Sequence, residues 1–283
     1  MSNNSIIPDD PERRRLIIVH SSQQWKALEK IAEAGGQATN HEREEVNKFL
    51  RGGPHIYFLC VEDALIDTGP IMASIRRQGL LNPDAVLMQD PFDSNRYERA
   101  EDFLFSGVIR KYLRMKEYFL LVGASSVSIT HMTATNREGR VLFTGKLSTR
   151  LPRKKDSEVA GVSVDYSSVS IERIKNQLML SAKGMEISNI TDDPHRYLDI
   201  YPYLKDFGFY ARNRPTKGTF EFELRATEEI QSNLELACSL TIPVKLLKTS
   251  LGIKFNRLRQ ESHSYELKVQ VLFGKAKERT SKE

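Results

Sequence analysis

The chain contains little cysteine, and it lacks the long apolar segments that would direct or anchor it to a membrane. Only Cys60 and Cys238 occur among 283 residues, and two cysteines cannot build the disulfide framework of a small secreted protein. Residues 1–10 are polar, and no apolar run approaches the roughly 18 residues of a spanning helix. The sequence therefore predicts a reducing intracellular compartment without signal peptide or transmembrane helix, so any membrane contact would be peripheral.

The sequence lacks the characteristic motifs of several enzyme classes. No Gly-rich phosphate loop precedes a helix and no Gly-x-Ser-x-Gly turn occurs, so nucleotide hydrolysis and serine hydrolase chemistry have no support. The six histidines stand far apart in the chain, whereas metal sites usually show close His or Cys spacing. The sequence thus predicts no metal, no cofactor and no evident small-molecule substrate, and it favours a protein that is not an enzyme.

The chain does contain a mild excess of positive charge. Lys and Arg number 42 against 37 Asp and Glu, which gives a formal net charge of +5. This balance permits anionic partners such as RNA or acidic lipid without requiring them, and a solvated surface is the alternative interpretation. The basic residues form three clusters along the chain, and the last of them could also act as a nuclear localisation signal. The candidate phosphate contacts in these clusters are Arg13, Arg14 and Arg15, then Arg110, Lys111 and Arg114, and finally Arg150, Arg153, Lys154 and Lys155.

Apolar side chains alternate with polar ones along the last quarter of the chain. This two-residue period predicts four successive antiparallel strands, at 220–224, 234–242, 251–255 and 265–273. Their outward positions include several lysines and arginines, among them Lys268. The alternation therefore predicts a one-sided sheet with a basic outer face, which would be a platform rather than a pocket.

Helical spacing appears mainly nearer the amino terminus. It predicts helices over about 23–34, capped by Ser21 or Ser22, and about 40–50. Short apolar runs predict strands at 16–19 and 56–61. Later strands are predicted at 127–132, 141–151 and 162–164, and a later helix over about 168–182.

These elements predict an α+β fold, with a mostly antiparallel sheet in the C-terminal half and helices in the N-terminal third. Residues 1–12 are expected to be disordered, because they are polar and contain two prolines. Residues 13–274 are expected to form a single α+β domain with a sub-boundary near 80–100, and residues 275–283 a charged tail.

The segment from Ala64 to Gly69 holds the one candidate catalytic acid, Asp67. It resembles the active-site turn of retroviral-type aspartic proteases, in which an Asp from each of two subunits shares a proton. The chain departs from that family at Pro70, where a small residue is usual, and no Gly-rich flap is visible between 79 and 103. The resemblance implies an aspartic protease, and the alternative is an ordinary turn after a strand.

Two other stretches resemble the matrix proteins of rhabdoviruses. One joins Asp90-Pro91 to Arg96-Tyr97-Glu98, and the other runs from Lys217 to Phe222 and continues to Leu251-Gly252-Ile253. Together they cover about a quarter of the chain. The resemblance implies a non-enzymatic virion protein that binds anionic membrane, self-associates into a homo-oligomer and condenses a nucleocapsid. The Pro-Pro-x-Tyr motif of that family is absent, which puts budding by that route in doubt.

A third similarity is to the pore-forming domain of gasdermins. Residues 62–77, 83–92 and 122–129 are similar to it in order, although residues 1–55 have no counterpart there. This resemblance implies a pore-forming protein that binds acidic lipid. The leading hypothesis is nevertheless a self-associating matrix-type protein that contacts anionic membrane or ribonucleoprotein through the basic clusters.

Overall fold

The computed structural model describes residues 6–33, 39–136, 140–146, 171, 173–176, 178, 193–213, 215–261 and 264–274. These residues fall into two compact units. The first combines residues up to 104 with 228–262, and the second combines 105–227 with the residues from 263 onward. The single domain over 13–274 stays a prediction, because units of this kind can belong to one domain.

The first unit is built on a four-stranded mixed sheet. Strands β1 and β2 run parallel, whereas β1 with β3 and β3 with β4 pair in antiparallel fashion, and the order is β2-β1-β3-β4. The parallel pair needs a crossover, which two helices between β1 and β2 supply. The strands are β1 (Leu16–His20), β2 (Ile56–Cys60), β3 (Val86–Asp90) and β4 (Asp93–Arg99).

Helices cover both faces of this sheet because its strands are apolar on both sides. Ile17 and Val19 of β1 join Met72 and Ile75 in a core on one face, and neighbouring Ile18 faces the other way. The helices of the unit are α1 (Ser22–Glu33), α2 (Asn40–Arg51), α3 (Val61–Ala64), α4 (Pro70–Arg77), α8 (Glu228–Ser239) and α9 (Ser250–Glu261), with 3-10 turns at Pro11–Arg14 and Val244–Leu246.

The second unit contains a four-stranded antiparallel sheet in the order β6-β5-β8-β7. One face is buried, and Val269 and Val271 on it are fully inaccessible. The strands are β5 (Ala124–Thr135), β6 (Val141–Lys146), β7 (Gly218–Arg225) and β8 (Ser264–Phe273); the helices are α5 (Ala100–Leu121), most of which belongs here, α6 (Pro194–Ile200) and α7 (Gly208–Asn213), with a 3-10 turn at Pro202–Phe207.

The α+β class is confirmed, but the predicted separation of helices and strands is wrong. The predicted strands at 234–242 and 251–255 correspond to helices α8 and α9, which end near residues 239 and 261. Leu251, Phe255 and Leu258 are buried at the three- and four-residue spacing of a helix. An alternating run contains four-residue spacings as well, so two-residue alternation alone did not distinguish the two structures.

The outer face of the sheet in the second unit also differs from the prediction. Lys268 of β8 lies 3.3 Å from the carboxylate of Glu223 on β7, and Gln270 donates to Glu221 at 2.7 Å. The predicted basic outer face is therefore of mixed charge on these strands, because acidic residues of β7 alternate with its apolar ones.

Most earlier elements match their predictions. The helices predicted over 23–34 and 40–50 and the strands predicted at 16–19 and 56–61 are confirmed as α1, α2, β1 and β2. Residues 127–132 lie within β5, the first six residues of 141–151 form β6, and the described residues between 171 and 178 are helical. Of the segment expected to be disordered, residues 6–12 are described, and Ile7 there is buried. Residues 1–5, 147–151, 162–164 and 275–283 lie outside the described residues.

Candidate functional site

The first basic cluster is largely occupied by contacts inside its own unit. Arg14 is 2% exposed, and its guanidinium donates to the Ser94 carbonyl at 2.7 Å and to the Tyr97 hydroxyl at 2.6 Å. Arg15 donates to Asn233 Oδ1 at 2.9 Å. Only Arg13 of the three is exposed, so Arg14 does not lie on the open surface that its predicted phosphate contact would need.

The second basic cluster lies on α5 and is also turned inward. Lys111 is 3% exposed, donates to the Arg225 carbonyl at 2.5 Å and stands over the Tyr203 ring. Arg114 pairs with Glu117 at 2.8 Å. Burial, and then the charge of Arg114, lower the pKa of Arg110. Lys111 is therefore buried and not on the open surface that its predicted phosphate contact would need.

The third cluster, with Arg150, Arg153, Lys154 and Lys155, lies outside the described residues. Six of the ten basic residues predicted to bind phosphate are among the described residues, and of these six only Arg13 is exposed. Sequence reasoning counted charges, whereas the fold uses several of them to satisfy buried carbonyls and carboxylates.

The side chain of Asp67 holds a turn together through hydrogen bonds to the backbone. Its side chain is 1% exposed, Oδ1 accepts from Gly69 N at 2.6 Å, and Oδ2 accepts from Ile6 N at 2.9 Å. The Asp67 carbonyl accepts from Arg76. Both carboxylate oxygens are thus already bonded to backbone amides, an arrangement that favours a structural role.

A feature that the sequence did not reveal is a cavity of about 250 Å³ in the first unit. It lies on the face of the sheet opposite the Ile17 and Val19 core, beside the carboxyl ends of parallel strands β1 and β2, where ligands of α/β sheets commonly bind. The lining is mostly apolar and includes Ile18, Leu28, Ile31, Phe49, Phe58 and Leu251, with polar side chains from His20, Gln24, Asp84, Lys245 and Thr249.

A row of rings forms one wall of this cavity. The His20 ring stacks on Trp25 at 4.5 Å with an interplanar angle of 23°. Trp25 then meets Phe58 at 5.0 Å, and Phe58 meets Phe49 edge-on at 5.3 Å. Such a wall offers flat π-surfaces and ring edges to an apolar or cationic group.

His20, the last residue of β1, brings a hydrogen-bond acceptor to this wall. Its Nδ1 lies 3.2 Å from the Ser21 carbonyl oxygen, which can only accept. The neutral ring therefore carries its proton on Nδ1, and Nε2 is left as an acceptor. Burial lowers the pKa of His20 below 6.5, which favours the neutral ring near pH 7. No residue in the described ranges donates to Nε2.

The start of α1 fixes the polar edge of the cavity. Ser21 N donates to Gln24 Oε1 at 2.8 Å and Gln24 N donates to Ser21 Oγ at 3.2 Å, the reciprocal pair of a capping box. This confirms Ser21 as the cap. Gln24 Nε2 then donates to Asp84 Oδ1 at 2.9 Å. Asp84 has a φ of 65°, a left-handed conformation that Asp tolerates and that residues near binding sites often adopt.

The segment from Val244 to Leu251 closes another side of the cavity. Leu246, Thr249 and Leu251 line it, and Gly252 lets α9 approach the 3-10 turn closely. A Cβ at Gly252 would come 2.0 Å from the Leu246 carbonyl oxygen, so only glycine fits there. The glycine therefore determines how far this wall closes over the cavity.

Close to the cavity, the ends of β1 and β2 carry a small polar cluster. Cys60 Sγ donates to Glu62 at 3.0 Å and lies 3.2 Å from Ser22 Oγ, and Ser22 N donates to the same Glu62 oxygen at 3.1 Å. The bond from the Cys60 thiol, followed by those from backbone amides, lowers the pKa of Glu62 to about 2. These contacts hold the loops after both strands together.

Two further properties of the described part of the chain bear on function. It contains no helix that combines the length and hydropathy needed to cross a bilayer. Within the same residues, no group of three or more His, Cys, Asp or Glu side chains is arranged to hold a metal ion.

Comparison of the chain with models of protein families, with curated proteins and with solved structures finds no match.

Proposed function

We propose that this protein binds a compact, largely apolar small molecule in the cavity of its first unit. The observation that carries the proposal is the cavity itself, with its ring wall and a few polar groups at one edge. Ligand sites are typically mostly apolar with a small number of placed polar groups. The sequence predicted no small-molecule substrate, because residues from β1, α1, α2, β2 and α9 meet only in the fold.

The volume suggests the size of the ligand. A cavity of about 150 Å³ holds benzene, and drug-sized ligands occupy roughly 300–1,000 Å³. The cavity here, at about 250 Å³, lies between these values and suits a single substituted ring or a small bicyclic group. Filling it would remove apolar surface from water at about 25 cal/mol per Å², which is the main source of affinity proposed here.

Trp25 supplies a direct test, because it is the only tryptophan of the chain and lies in the cavity wall. We expect 2-phenylethanol to change its fluorescence saturably and to give a matching binding isotherm by calorimetry. Ala27 lines the cavity yet is exposed, so Ala27→Phe should obstruct the cavity at little cost in stability. This variant should lose binding.

The matched control is Gln23→Phe on the same helix. Gln23 is exposed and does not line the cavity, so this variant should bind 2-phenylethanol as the wild type does. The proposal is wrong if the wild type shows no saturable binding, or if Ala27→Phe and Gln23→Phe behave alike.

We also propose, as a second candidate, the self-associating matrix-type function suggested by the sequence. One observation favours self-association: β6 and β7 end the sheet of the second unit, and neither pairs with a further strand among the residues described. Exposed strand edges can pair with another chain. Contact with anionic membrane or ribonucleoprotein would then rest on Arg13 and on Arg150, Arg153, Lys154 and Lys155.

Sedimentation tests this second candidate separately. We expect the protein to form homo-oligomers and to sediment with acidic liposomes or RNA at low salt, and the lipid or RNA binding to weaken as salt rises. Binding without dye leakage supports the matrix-type function, whereas leakage would favour the gasdermin-like alternative. A monomer that sediments with neither partner would exclude both.

A further inference from the structure

We infer that the ligand of this cavity is an organic cation, an aromatic ring that carries a protonated amine held by Asp84 and the neighbouring rings. The inference rests on the proposed function of the cavity. It adds the charge and the polar group of the ligand, which the apolar lining alone does not specify.

The carboxylate of Asp84 has one oxygen available. Oδ1 accepts from Gln24 Nε2 at 2.9 Å, while Oδ2 accepts from no donor in the described part of the chain. A half-buried carboxylate gains most from a partner of opposite charge that can also hydrogen-bond to it. An ammonium group supplies both.

The lysines near Asp84 are directed elsewhere. Lys254 Nζ donates to the backbone carbonyl of Asp84 at 3.0 Å, not to its carboxylate, and its ion pair is with Glu101 at 3.6 Å. Lys245 also lines the cavity, but its side chain is 41% exposed and its Nζ lies 3.6 Å from Glu42. The Asp84 side chain is left as the unpaired charge of the lining.

The other groups at this edge also favour a cation. Trp25 and Phe58 present rings, and the negative faces of such rings attract ammonium groups within about 6 Å. His20 offers Nε2 as an acceptor, whereas an anionic ligand would need a donor at that position. An ammonium has three N–H donors, so it can hydrogen-bond to Asp84 Oδ2 and keep donors for other acceptors of the lining.

Asp84→Asn tests the charge of Asp84 with little change to the local structure. Asn tolerates the left-handed φ of 65°, and its Oδ1 can still accept from Gln24 Nε2. The substitution removes the charge and one acceptor while leaving the local hydrogen bond in place. Asp63→Asn, at an exposed acid that does not line the cavity, is the matched control.

The experiment compares three probes of similar size by calorimetry near neutral pH: phenethylamine, 2-phenylethanol and 3-phenylpropionate. We expect wild type and Asp63→Asn to bind phenethylamine about tenfold more tightly than 2-phenylethanol, and 3-phenylpropionate most weakly. In Asp84→Asn the preference for the amine should disappear, and the affinity for 2-phenylethanol should change by no more than about twofold.

The outcomes separate the inference from the proposed function. If the wild type binds 2-phenylethanol but binds phenethylamine no more tightly, the inference is wrong and the cavity remains a ligand site. If Asp84→Asn keeps the full preference for the amine, Asp84 is not the recognition group and the inference is also wrong. If none of the three probes binds to the wild type, the proposed function fails and the inference fails with it.

Discussion

The two units use their aromatic side chains in different ways. In the second unit, Phe119 meets Phe207 and Tyr210 at 5.4 and 5.3 Å, and Phe207 meets Phe222 at 4.7 Å, so rings fill the space between helix and sheet. In the first unit, the rings of His20, Trp25, Phe49 and Phe58 border a cavity. Aromatic content alone therefore does not distinguish a core from a binding site.

Buried polar groups differ between the units in the same way. In the second unit Glu117 accepts from Arg114 at 2.8 Å and from Tyr197 at 2.5 Å, and burial followed by this contact raises the pKa of Tyr197. In the first unit the described residues leave Asp84 Oδ2 and His20 Nε2 without donors. Glu117 is thus satisfied by side chains of its own unit, whereas two groups that line the cavity of the first unit keep an open acceptor among the described residues.

Removing Glu117 should give the largest effect. Glu117 is 5% exposed, and Glu117→Ala would leave Arg114 and the Tyr197 hydroxyl without their partner. Breaking a buried ion pair on one side typically costs about 3–5 kcal/mol in free energy of unfolding. Urea denaturation measures the loss, and tyrosine-dominated near-ultraviolet dichroism should report it for the second unit.

A surface ion pair provides the control for this comparison. Glu223 and Lys268 are each more than half exposed at 55% and 56%, so Glu223→Ala should change stability by less than about 1 kcal/mol. A similar effect of both variants would mean that the interior of the second unit does not depend on its internal pairing.

Gly252→Ala should destabilise the first unit. Its Cβ would collide with the backbone of Leu246 and Leu247, so α9 and the 3-10 turn, which both contribute to the cavity wall, must move apart. We expect a loss of about 3 kcal/mol, the upper part of the range for overpacking, together with weaker binding of 2-phenylethanol. Gly79→Ala is a useful contrast because a Cβ there meets nothing, although its φ of 65° still adds backbone strain. Unchanged ligand binding in Gly252→Ala would show that this wall does not shape the cavity.

Sequence reasoning located most elements near the amino terminus and failed in the last quarter. Short apolar runs predicted β1 and β2, and helical spacing predicted α1 and α2. Residues 234–242 and 251–255 carry apolar residues at every second position, and such a run also supplies the four-residue spacings of a helix. Burial within the fold decides between the two, because only the tertiary partner shows which side chains are covered.

The candidate site was less accessible to sequence reasoning than the fold. Trp25 was placed on the apolar face of α1, yet nothing in the chain indicates that Phe49, Asp84 and Leu251 lie beside it. One available signal was Ser21-x-x-Gln24, a capping box directly after a strand. Positive charge in the sequence does not by itself indicate exposure, because Arg14 and Lys111 are buried.

Asp67→Asn tests the turn that holds the amino-terminal segment. Asn can accept from Gly69 N but presents an amide N–H where Asp67 Oδ2 accepted from Ile6 N, so Ile6 N loses its partner. We expect a cost of about 2 kcal/mol and easier proteolysis near the buried Ile7. An aspartic protease would behave in the opposite way, losing peptide cleavage while keeping its stability.

The smallest effect concerns pH and His20. Burial lowers its pKa, while the bond to the Ser21 carbonyl and the charges of Glu62, Asp63 and Glu29 oppose the shift. The unfolded chain, with an ordinary pKa of 6.5, therefore binds the proton more readily than the folded protein.

The contribution of His20 to stability is consequently present above pH 6.5 and is lost as pH falls from there through its lowered pKa. Urea unfolding above pH 6.5 and about one unit below it should show this loss in the wild type but less of it in His20→Phe, which keeps a ring on Trp25. Protonated His20 should also quench Trp25. It should weaken the binding of phenethylamine, because its Nε2 is then a donor and no longer an acceptor. If wild type and His20→Phe lose equal free energy of unfolding, the pKa of His20 does not differ between the folded and unfolded chains. Asp84 would then be the one lining group that distinguishes the cavity from the Glu117 site of the second unit.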